Sequence, residues 1–157
     1  MKAVADSVPC FMPDTNCLVA LLLPQHEHHD WAFQEIERRL DASETMAIAA
    51  HTLVETYAVL TRLPAPHRLS AADCRALIEA NFADDAAMLT TLSAQDYRRL
   101  IHDAPERGIA GGRVYDAVIA ACARMAHAST LLTFNTRHFE TLGGDGLTVA
   151  APAEDRS

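Results

Sequence analysis

The chain has 157 residues, half of them apolar, and a formal charge of −8 at pH 7; that length is enough for one domain to close its own core without metal or disulfide staples. The longest apolar stretches, residues 17–23 and 117–123, are too short to cross a bilayer, and residues 1–9 hold no apolar run, so neither a membrane span nor a secretory signal is expected. Lys2 is the only lysine, which argues against any mechanism that needs a catalytic or phosphate-gripping lysine.

Residues 10–13 have strand character and run at once into Asp14-Thr15-Asn16 and an apolar stretch over 17–23 that Pro24 closes: strand, tight turn, helix. From 26 to 40, Trp31, Ala32, Ile36 and Leu40 recur at helical spacing among charges, which predicts an amphipathic helix. Residues 45–50 return to strand character. A helix over 51–63 follows, ended by Pro64 and Pro66, and another begins at Ser70, with Asp73 at capping-box spacing. Residues 86–92 read as a strand, 93–103 as a helix capped by Ser93, 108–112 as a flexible glycine loop and 113–127 as a helix. Residues 130–134 predict a buried strand and 147–150 a last one. This alternation predicts an α/β fold in three layers, α/β/α, around a mostly parallel sheet. In such folds ligands sit outside the carboxyl ends of the strands. The ends before Cys10 and after Pro152 are expected to be disordered. Cys10, Cys17, Cys74 and Cys122 are widely spaced and form no C-x-x-C, as reduced, buried thiols of a cytoplasmic protein do.

The net charge alone argues against nucleic acid, because Lys and Arg supply most of the affinity for phosphate backbones. The charge is unevenly spread, however. Between residues 86 and 142, six arginines (98, 99, 107, 113, 124 and 137) stand against five acids (96, 103, 106, 116 and 140), so the remainder of the chain carries the whole deficit.

Four residues fall where such a fold builds a site: Asp14 after the first strand, Glu55 early in the helix after the second, Asp116 near the start of the helix over 113–127, and Asn135 after the strand over 130–134. Three carboxylates brought together repel one another, and raised pKa values or a bound cation relieve the repulsion. Oxygen ligands of this kind suit a hard cation such as Mg²⁺, which can polarise a phosphodiester and generate hydroxide for in-line attack. Each residue also has an ordinary explanation. Asp14 can be a helix N-cap, Glu55 the far member of a Thr52–Glu55 capping box, Asp116 an acid favoured by a helix dipole, and Asn135 a turn residue. The set outweighs its members, since Glu55 and Asp116 lie among apolar residues where an unpaired acid is costly.

Four segments carry a resemblance to a known family: Pro13-Asp14-Thr15-Asn16-Cys17-Leu18-Val19, the helix from Leu53 to Pro64, the run from Tyr115 to Ala123, and Leu132-Thr133-Phe134-Asn135-Thr136-Arg137-His138-Phe139. In this order and spacing they resemble the successive motifs of PIN-domain toxins of the VapC type, over about residues 11–142. The resemblance implies a single PIN domain, 1–157, ordered over about 10–151. It also implies a divalent-metal-dependent endoribonuclease (Mg²⁺ or Mn²⁺) that cleaves RNA by metal-activated water, as the toxin of a type II toxin–antitoxin pair. Asp14, Glu55 and Asp116 match the family's metal-binding acids, and Thr15 its neighbouring hydroxyl residue. Many relatives have a fourth acid where this chain has Asn135, which leaves open whether one metal or two are held. The implied partners are RNA and a VapB-like antitoxin that blocks the acidic site, with an Arg among the acids and an apolar segment near Trp31 and Tyr57. A homodimer or a toxin–antitoxin hetero-oligomer is the implied assembly.

Thr15, Arg107, Arg113, Arg137 and His138 are candidate contacts to RNA, with the glycine loop 108–112 as a mobile rim of the site. His51 and His138 lie near the site in sequence order, as phosphate contacts or as surface or capping residues. The cluster Gln25-His26-Glu27-His28-His29-Asp30 looks like a zinc site but lacks a matching pair of ligands elsewhere; solvated side chains are the expectation, with one of these histidines lining the RNA groove as the lesser alternative. Trp31, Phe33, Tyr57 and Tyr97 fit helix packing or an oligomer surface. Two other functions compete with this one. An aspartyl phosphotransferase would need a second acid where Asn16 stands and a lysine near it. An adaptor of PIN-like fold that has lost activity has only Asn135 in its favour.

Overall fold

Four consecutive apolar residues, Cys10–Pro13, form β1, buried along its whole length, as befits a strand covered on both faces. The computed structural model describes residues 8–153, so the expectations for Lys2 and for the chain ends fall largely outside the described residues. After β1 come α1 (Thr15–Leu22), α2 (His29–Asp41), β2 (Thr45–Ala49), α3 (Ala50–Arg62), α4 (Ala71–Asn81), β3 (Met88–Thr90), α5 (Ala94–Asp103), α6 (Arg113–Met125), β4 (Thr130–Leu132), α7 (Thr136–Phe139) and β5 (Thr148–Ala150). The strands form one sheet in the order β3-β2-β1-β4-β5. Every pairing is parallel, with Phe11 opposite both Met46 of β2 and Thr130 of β4.

Successive side chains of a strand point to opposite faces, and this alternation divides the core. Cys10 and Met12 of β1, with Ala47 and Ala49 of β2, pack against Leu100 of α5 and Ile119 of α6. Phe11, Met46 and Ile48 face the other way, onto Leu18 of α1 and Ile36 of α2. A smaller cluster, in which Leu60 of α3 and Cys74 of α4 meet Val19 and Leu22 of α1, holds α3 and α4 on that second side. The result is the expected three-layer α/β/α architecture. All four cysteines are buried and free, as their spacing predicts. Among the described residues no helix is long and apolar enough to cross a membrane.

Helix starts show which local signals are used. Ser93 caps α5 in a full capping box, accepting from the Asp96 amide while the Asp96 carboxylate accepts from the Ser93 amide. Ser70 caps α4 by accepting from the Asp73 amide. Thr52 and Glu55 make no such box. β2 runs straight into α3 at Ala50, so both lie inside the helix, and Thr52 is fully buried. The sequence reading also missed α7, whose four residues are too few for a periodicity to show.

Candidate active site

A single residue, Asp14, separates β1 from α1. Its amide donates to the Leu132 carbonyl of β4 at 2.7 Å, and its own carbonyl accepts from the amides of Cys17 and Leu18, so the residue is held by the sheet on one side and the helix on the other. The residue is only 7% exposed. Oδ1 caps α1 by accepting from the Thr15 amide at 2.8 Å. Oδ2 accepts from the hydroxyl of Thr133 at 2.9 Å. Capping and site-building are therefore one arrangement here.

Thr133 was not singled out in the sequence, and it organises this corner. It is fully buried just past β4. Besides donating to Asp14, its Oγ1 accepts from the Asn135 amide at 3.0 Å and from Asn16 Nδ2 at 3.2 Å. Asn16 Oδ1 in turn accepts from the Phe134 amide at 3.2 Å. Both ends of the Asn16 amide are thus used to clamp the β4–α7 connection onto the start of α1. The only clue in the sequence is a polar residue at the carboxyl end of a buried strand, where ligands of such sheets collect.

Asp14, Glu55, Asp116 and Asn135 line one cavity of ≈ 570 Å³ at the carboxyl ends of the strands. Thr15, Arg113 and His138, three of the predicted substrate contacts, line it too, and Gly112 places the end of the glycine loop at its rim. Arg137 is exposed on α7 and does not line it. Arg107 lies in a separate groove between α5 and α6, beside Leu100 and Arg124. The turn after α5 sends it there, with the Arg107 amide bonded to the Asp103 carbonyl and Ile109 drawn into the core.

The electrostatics are those of an acidic site short of positive charge. Burial pushes the Asp14 carboxyl up to about 6; the bonds from Thr15 and Thr133 oppose that rise, while the charges of Asp116 and Glu55 add to it. Asp116, in the first turn of α6, is also raised, by burial first and by Glu55, against the pull of His138 and Arg113. His138 Nδ1 stands 3.9 Å from Asp116 Oδ2. Glu55 faces His51, whose Nε2 is 2.9 Å from Oε2 but off the line that a hydrogen bond requires, so the pairing is one of charge, present when the imidazole is protonated. The His51 ring stacks on Tyr115 at 5.2 Å.

Asn135 precedes α7 with φ −103°, so no left-handed backbone demands it, and its side chain makes no capping bond. Among the described residues no three His, Cys, Asp or Glu side chains are gathered tightly enough to hold an ion as they stand. His28 instead lies between Trp31 and Phe134, with ring centroids 5.2 and 4.7 Å away, and His29 Nδ1 bonds to the Ala20 carbonyl. Trp31 belongs to this stack, while Tyr57 lines a groove between α3 and α4 with Leu53, Val54 and Ile78.

Comparison with known proteins gives a consistent picture. A family model described as "PIN domain" matches residues 11–144. Ribonuclease VapC40 of Mycobacterium tuberculosis is 38% identical over 130 residues, covering 82% of this chain and 89% of that protein. Ribonuclease VapC27 of the same organism is 33% identical over 150 residues, 92% of this chain and 98% of that protein. Among solved structures, VapBC2 from Rickettsia felis, crystallised with a DNA fragment from its promoter, superposes with a TM-score of 0.65 at 20% identity. That match covers 90% of this chain and 98% of the other.

Proposed function

Because the chain belongs to the PIN-domain family, we propose that it is a divalent-metal-dependent endoribonuclease, the toxin of a type II toxin–antitoxin pair. The observation that carries this reading is the convergence of Asp14, Glu55 and Asp116 on one cavity, with Asp14 buried and its pKa raised toward 6. Two relatives named as ribonucleases, each aligned over more than four-fifths of this chain, support the substrate class.

The residues present suit a hard cation. The donor set is oxygen from carboxylates and an amide. Thr15 Oγ1, buried in the same cavity, has no hydrogen-bond partner among the described residues, so a polar group is owed to it. Mutual repulsion of the acids and the turn of Glu55 toward His51 account for the open spacing of the ligands. Asp14, Asp116 and Glu55 would hold the ion, with Asn135 as a neutral fourth donor. When bound, Mg²⁺ or Mn²⁺ supplies Lewis acidity for phosphodiester hydrolysis and offsets the negative charge that would repel RNA. The chain's own part is positional. Thr133 and Thr15 fix the Asp14 carboxylate, while Arg113 presents positive charge to the same cavity and His138 lines it beside Asp116.

The partner assigned to this site is a short VapB-like antitoxin. A solved structure of this fold is a toxin–antitoxin complex from Klebsiella pneumoniae, and an acidic cavity invites a bidentate arginine. The apolar α3–α4 groove is a surface for the rest of such a segment.

The test is cleavage of total bacterial RNA by the purified protein. Cutting is expected with Mg²⁺ or Mn²⁺ and not in excess EDTA, and Asp14→Asn is expected to lose activity by orders of magnitude. Undiminished cutting in EDTA would overturn the metal dependence, and a fully active Asp14→Asn would overturn the site.

A further inference from the structure

His26 also lines the cavity, on the wall formed by the α1–α2 connection. Its surroundings set its chemistry. Nδ1 accepts from the amide of His28 at 3.0 Å, closing a tight local turn. A ring nitrogen that accepts carries no proton, so the neutral ring is protonated on Nε2 and presents one N–H donor. Burial, with the neighbouring His28, holds the ring below its usual pKa, which keeps it in this neutral form. No protein group among the described residues bonds to Nε2.

The turn that carries His26 is fixed from outside the site. His28 is sandwiched between Trp31 of α2 and Phe134, the residue whose amide Asn16 holds. His29 bonds back to the Ala20 carbonyl of α1 at 2.9 Å. Three links therefore set His26 relative to the Asp14 corner. The other donors on the cavity wall are largely engaged. Asn16 is committed at both ends, Arg113 gives one guanidinium nitrogen to Thr141, and His138 faces Asp116.

We propose that His26 binds the RNA, donating from Nε2 to a phosphate oxygen as the strand crosses the acids, and so acts as a substrate-binding residue of the cavity that Arg113 also lines. This rests on the ribonuclease reading above. A neutral donor suits that place, because it holds an anion without adding a positive charge that would compete with the metal for the carboxylates.

Two substitutions separate this role from a structural one. In His26→Asn the amide oxygen can still accept from the His28 amide, as Asn does in Asx turns, but nothing reaches the place of Nε2. In His26→Gln the amide nitrogen reaches about as far as Nε2 while the turn loses its cap. Initial rates over rising concentrations of total bacterial RNA, melting temperature and Mn²⁺ affinity are measured on both. His26→Asn is expected to melt and bind Mn²⁺ like wild type yet lose roughly tenfold or more in kcat/KM, chiefly through KM. His26→Gln is expected to recover most of that loss at a lower melting temperature. The proposal is overturned if His26→Asn has the kinetics of wild type, if its activity falls only in step with its stability, or if it loses Mn²⁺ affinity, which would make His26 a metal ligand. A wild-type protein that leaves RNA intact with metal present would instead overturn the ribonuclease reading, and this inference with it.

Discussion

The hydroxyl of Thr133 donates to the carboxylate of Asp14 at 2.9 Å across 119 residues of sequence. Thr133→Val removes that donor and the acceptor used by the Asn135 amide and by Asn16. Buried polar groups left without partners cost about 1–3 kcal/mol. Thr133→Val is therefore expected to lower stability by about that much and cleavage at least tenfold, while Thr133→Ser stays near wild type in both. Chemical denaturation and RNA cleavage on the two variants check this; equal activity in valine and serine variants would show that the bond does not support Asp14.

The raised pKa of Asp14 makes the stability of the metal-free protein fall with pH. An acid whose pKa is higher folded than unfolded binds more protons in the native state, so its contribution is full below the unfolded value, 3.8, and is lost as pH rises through about 6. The whole effect is at most about 3 kcal/mol. Melting in EDTA at pH 5 and pH 7.5 should show the drop in wild type, a smaller one in Asp14→Asn, and recovery by Mn²⁺ at the higher pH. A metal-free Asp14→Asn less stable than wild type at pH 7.5 would contradict this account.

His51 and a cation compete for Glu55. Replacing His51 by Phe keeps a ring to stack on Tyr115 and removes the nitrogen 2.9 Å from Glu55. Calorimetric titration at pH 6 should find Mn²⁺ bound several-fold more tightly by His51→Phe than by wild type. Equal or weaker affinity at pH 6 would remove Glu55 from the metal site or His51 from the competition.

Asn135 has an ordinary backbone and no capping bond, so its side chain is dispensable to the fold. Asn135→Ala should keep the melting temperature within a degree or two, bind Mn²⁺ more weakly and cut more slowly, though less so than Asp14→Asn, because an amide adds no net charge to the site. Asn135→Asp should tighten Mn²⁺. A destabilised Asn135→Ala with unchanged Mn²⁺ affinity would return the residue to a turn-forming role.

Much of this was legible in the sequence, for identifiable reasons. Apolar periods and breaker residues located the helices and strands, and the serine caps of α4 and α5 were marked by local spacing, which needs no tertiary information. The carboxylates stood out because acids among apolar neighbours are costly. What stayed hidden depends on residues distant in sequence. Thr133 in a run of β-formers reads as strand, and its partners Asp14 and Asn16 lie at the other end of the chain. Arg107 and His26 show the same limit in opposite directions. A basic residue beside a glycine loop turned into another groove, and a histidine from an apparently solvated cluster lines the cavity.

The clamp between the start of α1 and the end of β4 also fixes when the site can exist. Translation delivers Asp14 first and Thr133 only 119 residues later, after both flanking strands of β1 have been made. Until then the first acid has neither its hydroxyl donor nor the β4 carbonyl that holds its amide. A chain stopped between Asp116 and Thr133 carries all three carboxylates and no assembled corner, so the site forms only once Thr133 has been made.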